Sequence, residues 1–334
     1  MNNVNLPSKQ TGFLLLGTYL SFLNSRAFQN LIRALLATMG VLVVTFTLIH
    51  LIPGDPVEML LGEAATEELV LEYRRILGLE GSLFDQFISY LSSVVHGDLG
   101  TSLLTRQSVN AVVARTLPLT AWLITVTIAM SLLMAIPLVI LAAIYRGTWF
   151  DHAFRVFTSI SLATPSFYSG LLLILFFAIQ LKLAPVAGYN PGFPGNLYYL
   201  WLPALTMSGA LVPILSRVLQ SSIVDTMEQE FVETAIVRRL PKSVLGWRYL
   251  LRPSLAPTIG LLGYIIGQLL SATVVVEIVF NLPGMGTALV VEGVRLRDSP
   301  LVQGIILVFA LIVVIVSFLS DMLCGWIDPR TKIS

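Results

Sequence analysis

The chain has 334 residues, 56% of them hydrophobic and 12% charged, and a formal net charge of +1. Ordinary soluble domains carry about 25% charged residues, so this composition excludes a water-soluble fold. Because one bilayer crossing takes about 20 apolar residues, the length holds several spans but no large soluble catalytic domain beside them.

The near-zero net charge conceals an asymmetry between segments that only topology resolves. Residues 1–30 form an N-terminal extension carrying Lys9 and Arg26. Its apolar stretch, 13–23, is too short to span and is assigned to the membrane interface. The first span is 34–52. No small-residue cleavage site follows it before Pro53-Gly54-Asp55-Pro56, so it reads as a retained helix and not a removed signal peptide. Five further segments reach spanning length: 117–145, 157–181, 197–219, 255–280 and 301–326. The expectation is an all-α polytopic membrane protein of six transmembrane helices. Lys and Arg divide thirteen to seven between alternate sides, the larger number falling on the side of both termini, which the positive-inside rule makes cytoplasmic.

The loop 53–116 is then external. Leu69, Tyr73, Ile76 and Leu77 recur there at helical spacing up to Gly78. Phe84, Phe87, Ile88 and Leu91 repeat the pattern ahead of Gly97-Asp98-Leu99-Gly100. Two helices are expected, as a cover for the outer mouth or as a docking surface. The loop 216–253 is cytoplasmic and reads as two short helices divided near Arg239, Leu240 and Pro241. Glu228, Glu230 and Glu233 precede the break; Lys242, Arg248 and Arg252 follow it. Phe231, Ala235 and Ile236 are placed on one apolar face between those charges, a surface presented to another protein.

Ionisable residues inside spans are functional candidates by default, which singles out Glu277 for a gate or path role against structural pairing. The same helix carries Gly260, Gly263, Gly267 and Ser271, small residues at a spacing that suits a helix-packing seam. Pro118, Pro137 and Pro165 are positions of kinks or interruptions. The lone cysteine, Cys324, excludes an intrachain disulfide or thiolate cluster and reads as apolar filler. His50, His96 and His152 fall in separate segments and support no shared metal site.

Phe231-Val232-Glu233-Thr234-Ala235, with Trp247-Arg248-Tyr249 and Arg252-Pro253 after it, resembles the Glu-Ala-Ala loop of ABC importer permeases. Gly54-Asp55-Pro56, Gly97-Asp98-Leu99-Gly100-Thr101-Ser102, Pro165-Ser166-Phe167, Leu202-Pro203-Ala204-Leu205-Thr206, Val275-Val276-Glu277-Ile278-Val279-Phe280, Pro283-Gly284-Met285-Gly286 and Asp328-Pro329-Arg330 resemble the dipeptide, oligopeptide and nickel branch of that family. The resemblance covers 31–330. It implies the type I ABC importer permease (MetI-like) fold and an inner-membrane location. The implied partners are a homologous second permease, two ATP-binding cassette subunits and an extracytoplasmic substrate-binding protein; no nucleic acid is implied. Glu233, Thr234 and Ala235 would lie at the ATPase contact, with Phe231 as an apolar anchor. Arg239 stands where the family pattern prefers glycine, so it must adopt a left-handed conformation or use a different turn helped by Pro241. An Arg239 contact to an acidic partner surface is one consequence.

No Gly-x-x-x-x-Gly-Lys-Ser/Thr loop, Gly-x-Ser-x-Gly elbow or His-Glu-x-x-His helix occurs. The chain is therefore expected to be no enzyme and to hold no cofactor, with ATP and Mg bound by partner subunits. A secondary transporter or channel is the rival reading; it would have no need of the loop 216–253.

Overall fold

A computed structural model describes residues 26–51, 66–76, 81–145 and 147–327. The apolar stretch 13–23, Gly54-Asp55-Pro56 and Asp328-Pro329-Arg330 lie outside them. Helix α1 is Arg26–Leu51, followed by α2, Glu67–Ile76, and α3, Leu83–Val95. Then come α4, Val109–Ile144; α5, Trp149–Ala163; and α6, Ser166–Leu173, continued by a π-helical segment, Ile174–Gln180. The long α7, Gly195–Met227, leads to α8, Glu230–Val237. A short turn, Lys242–Val244, and a π-helical segment, Leu245–Leu251, run into α9, Arg252–Gly260, and α10, Leu262–Val279. Met285–Thr287 and the π-helical Ala288–Val294 connect to α11, Ser299–Ile327.

Among the described residues, α4, α7 and α11 are each long and apolar enough to cross a bilayer alone. Two further apolar segments are bent helix pairs. The segment 157–181, expected as one span, belongs to two helices that meet at 109°. The break lies at Thr164, extended at φ −88° and ψ 122°, because the ring of Pro165 disfavours helical geometry in the residue before it. A second break, of 61°, separates α9 from α10 after Pro257 and Gly260. Helix α4 begins at Val109 and α7 continues to Met227, beyond the apolar windows 117–145 and 197–219. Hydropathy marks only the apolar length of a helix that runs on past the bilayer.

Helix α7 is the hub: 67% of its apolar window is buried, against 33% for α4 and 22% for α11. It packs against α4, α5, α6, α9 and α10, while α11 packs on α1, α9 and α10. Leu123, Leu200, Met207, Leu211, Ile265 and Leu269 belong to the central core. Two hydroxyls inside it are satisfied along their own helices: Thr127 Oγ1 donates to Leu123 O at 2.7 Å, and Ser208 Oγ to Ala204 O at 2.7 Å. Thr127 also reaches Met207 Sδ at 3.7 Å, and Val139 packs with Leu219. α4 and α7 therefore run parallel, which places the α3–α4 junction and the α7–α8 junction at opposite ends of the bundle.

Candidate functional site

At the α3–α4 end, three motifs far apart in sequence converge on two buried carboxylates. Glu277, on the last turns of α10, is 0% exposed. Thr120 Oγ1 of α4 donates to its Oε1 at 2.6 Å, and the backbone N–H groups of Gly286 and Thr287 donate to its Oε2 at 2.7 and 3.1 Å. The N–H of Met285 completes the ring by donating to Thr120 Oγ1 at 2.9 Å. A carboxylate thus caps the start of the 285–294 segment, where free N–H groups and the helix dipole favour negative charge. The close approach explains the glycine: a Cβ on Gly286 would lie 2.5 Å from Val274 Cα and 2.9 Å from Glu277 Oε2. The described geometry makes Glu277 a clasp inside the wall of this chain.

Asp298, 1% exposed, plays the same part at the start of α11. Ser102 Oγ donates to its Oδ2, and the N–H groups of Leu103 and Leu301 donate to its Oδ1 at 3.3 and 3.4 Å. The Gly97–Ser102 loop is in turn tied to α4, with Leu99 N donating to Asn110 Oδ1 at 2.9 Å and Val109 N to Gly100 O at 3.0 Å. Gly100 holds φ +89°, a left-handed geometry that favours glycine. Val109, Val112, Met285, Ala288, Leu301 and Ile305 form the apolar layer beneath. Sequence reasoning missed Thr120 and Asp298, and named Ser102 only as the end of the Gly97–Ser102 string. Only the neighbouring glycine-rich strings signalled the assembly.

At the opposite end, α8 packs one side into the chain and offers the other. Val232 and Ala235 are 1% and 2% exposed, so Ala235 is not on the outward surface, nor does it share a face with Ile236. A 3.6-residue period carries Ile236 about 100° round from Ala235. Phe231 is half-buried, its ring 6.4 Å from that of Tyr249, within the chain. Glu233 and Thr234 are exposed, and the outward apolar groups are Ile236, Val237 and Trp247, at 55%, 76% and 66%. The helix ends with Arg239 at φ +50°, Arg239 N donating to Ile236 O at 2.9 Å and Leu240 N to Ala235 O at 3.3 Å. This pair of bonds is the Schellman arrangement, with arginine in the residue slot that usually holds glycine.

The stems of this turn are joined by hydroxyls. Buried Ser254, near the start of α9, lies 3.1 Å from Thr226 Oγ1 and donates to Ser222 O at 3.2 Å, both on α7. The two stems of the turn, the end of α7 and the start of α9, are thereby tied to each other. On α9 and α10, Gly260 and Ser271 are exposed, and a Cβ on Gly267 would lie 3.8 Å from Val313 of α11. Of the four residues expected as a packing seam, Gly267 lies against α11, while Gly263 lies outside the residues whose burial is described. Beside them, exposed Gln268 donates to Tyr264 Oη at 3.2 Å. Among the described residues no group of His, Cys, Asp or Glu is clustered to hold a metal.

A bundle of long apolar helices, clasped at one end and presenting an exposed helical turn at the other, defines an all-α membrane protein. Family models give that class its identity. The model described as "Binding-protein-dependent transport system inner membrane component" matches residues 135–333, and that of its N-terminal part matches 19–124. The chain belongs to this family of inner-membrane permeases. It is 36% identical to the probable D,D-dipeptide transport system permease protein DdpB of Escherichia coli, over 88% of this chain and 94% of that protein. It is 32% identical to the glutathione transport system permease protein GsiC of Pectobacterium atrosepticum, over 87% and 94%. The corresponding protein of Salmonella typhi is 31% identical over the same shares.

Proposed function

We propose that this permease is one of two membrane subunits of an ATP-driven importer for a peptide-type solute, delivered by an extracytoplasmic binding protein. The observation that carries the proposal is the exposed turn of α8, backed by buried Val232 and Ala235 and fixed to α7 through Ser254. An ATPase subunit gripping Glu233, Thr234, Ile236, Val237 and Trp247 would move a rigid lever. Arg239, held beside this surface, adds a contact to an acidic patch of that partner. The turn and both termini are cytoplasmic in this reading, α1 supplies the sixth span, and the Glu277 clasp faces outward.

The path runs along α10. Tyr264, Gln268 and Ser271 recur at three- and four-residue steps on its exposed side, and polar side chains on a spanning helix are costly against lipid. They face the second permease across the path, with Gly260, Gly263 and Gly267 allowing the two subunits to approach. The names of the relatives favour a dipeptide or another small peptide, with glutathione as the alternative; nickel or a metal chelate would use the same machinery. The test is uptake of a labelled dipeptide into proteoliposomes holding both permeases, the ATPase subunits and the binding protein. ATP-dependent accumulation that requires the binding protein is expected. Uptake driven by a proton or sodium gradient without the ATPase subunits would overturn the reading.

A further inference from the structure

Helix α3 has three faces. Phe87 and Tyr90 dock on α1: their rings lie 5.3 and 6.1 Å from that of Phe46, and Tyr90 Oη is 3.2 Å from Thr45 Oγ1. Asp85, Ser89, Ser92 and His96 recur at three- to four-residue steps as a polar stripe. A third stripe, Phe84, Ile88, Leu91 and Val95, is apolar; Phe84, Ile88 and Val95 are 71%, 47% and 75% exposed. Helix α1 carries an exposed apolar line of its own. Ile32, Leu35, Met39 and Val43, 40–61% exposed, advance along α1 in helical steps, and the next step is Phe46, where α3 sits. The exposed apolar line of α1 therefore runs up to the point where α3 is seated.

We propose that α3 is embedded in the bilayer interface, its Phe84–Ile88–Leu91–Val95 stripe facing acyl chains in the leaflet that holds the Thr45–Phe46 end of α1. An apolar face split between a span and open surroundings, with a separate polar face, is the division an in-plane interfacial helix needs. The apolar stripe replaces the lipid contact that α3 removes from Phe46. The helix thereby ties the loop between the first two long helices to the membrane surface, fixing its height.

The test uses the assembled full-length protein with Cys324→Ser as background. A fluorophore is placed at Phe84→Cys or Ile88→Cys on the apolar stripe, and at Ser89→Cys or Ser92→Cys on the polar one. Vesicles are of phosphatidylethanolamine and phosphatidylglycerol, with or without acyl-chain nitroxide. Nitroxide lipid should quench the apolar-stripe labels at least threefold more than the polar-stripe labels, with iodide giving the reverse order. Equal iodide quenching on both stripes overturns the proposal. So does shielding of the apolar stripe that appears only on adding the binding protein, which would assign that face to a protein partner. A second measurement needs no substitution: a phospholipid with an acyl-chain diazirine should label the peptide 83–95 of the unaltered protein as it labels 32–43. Adducts on 32–43 with none on 83–95 would also overturn it.

Discussion

The two ends of the bundle carry equally motif-rich sequence and use it in opposite ways. At the clasped end, Glu277 and Asp298 are buried, and each accepts hydrogen bonds from segments remote in the chain. At the α8 end, Glu233 and Thr234 are exposed, apolar Val237 stands 76% in the open, and Arg239 holds a left-handed backbone. One set of motif residues is buried within the chain; the other is left exposed. A shared motif therefore marks constraint, and burial decides whether the constraint comes from this chain or from a partner.

The comparison breaks most sharply if the clasp can be removed without loss. Glu277→Ala leaves the hydroxyl of Thr120 and the N–H groups of Gly286 and Thr287 without their acceptor. Each buried unsatisfied group costs about 1–3 kcal/mol, so a loss of about 3 kcal/mol or more is expected. Thermal unfolding of the purified protein in detergent measures it. Glu277→Gln, which keeps one carbonyl acceptor, should fall between. A Glu277→Ala protein that unfolds with the parent and loses only transport would instead support the gate role.

The opposite result is expected at α8. Val237→Asp alters an exposed side chain and should change stability by no more than about 0.5 kcal/mol. If Val237 sits at the centre of the ATPase contact, the same change should weaken that contact by about 2 kcal/mol, roughly 30-fold. Affinity of the detergent-purified permease pair for the ATPase subunits is the readout. Unchanged affinity and unchanged ATP-driven uptake would move the contact off this surface.

Helix positions were legible in sequence because apolar period and turn residues are local signals. Helix α2 holds Leu69, Tyr73 and Ile76, and α3 holds Phe84–Leu91, as their apolar periods place them, and the α8 turn breaks at Arg239 and Pro241. What escaped is long-range. Ser102 and Asp298 are 196 residues apart, Thr120 and Glu277 157, and no local pattern encodes such pairs. The inward turn of Ala235 escaped for a related reason: an eight-residue helix fits several apolar faces until its neighbours select one. The 109° break at Thr164 was half legible, since Pro165 marks the position but not the angle.

Arg239 allows a finer cut through the same surface. A non-glycine residue in the left-handed region costs about 1–2 kcal/mol, and glycine returns part of that as backbone entropy on folding. Arg239→Gly should therefore stabilise the turn by about 1 kcal/mol or less, read as slower amide exchange at Leu240. If the guanidinium meets an acidic partner surface, coupling should nonetheless fall several-fold in uptake assays. A more stable turn with assembly and uptake unchanged would remove that contact and leave the strain without a function.

The smallest effect tests whether the clasped side is uniformly locked. Helix α3 begins with a capping box: Ser82 Oγ and Ser82 N donate to Asp85 Oδ2 at 2.6 and 3.1 Å, and Asp85 N donates back to Ser82 Oγ at 3.3 Å. The Ser82 hydroxyl first, and its N–H second, hold the exposed Asp85 carboxyl below its ordinary value. With the folded value under the unfolded one, the stabilisation is fully present above the ordinary carboxylate range and is lost as pH falls through the folded value. Amide protection in the first turn of α3 should thus drop on acidification. Asp85→Asn should flatten the α3 response, because an amide has no charge to lose. A pH response in α3 that survives Asp85→Asn would trace it to another group and detach the helix start from this carboxyl.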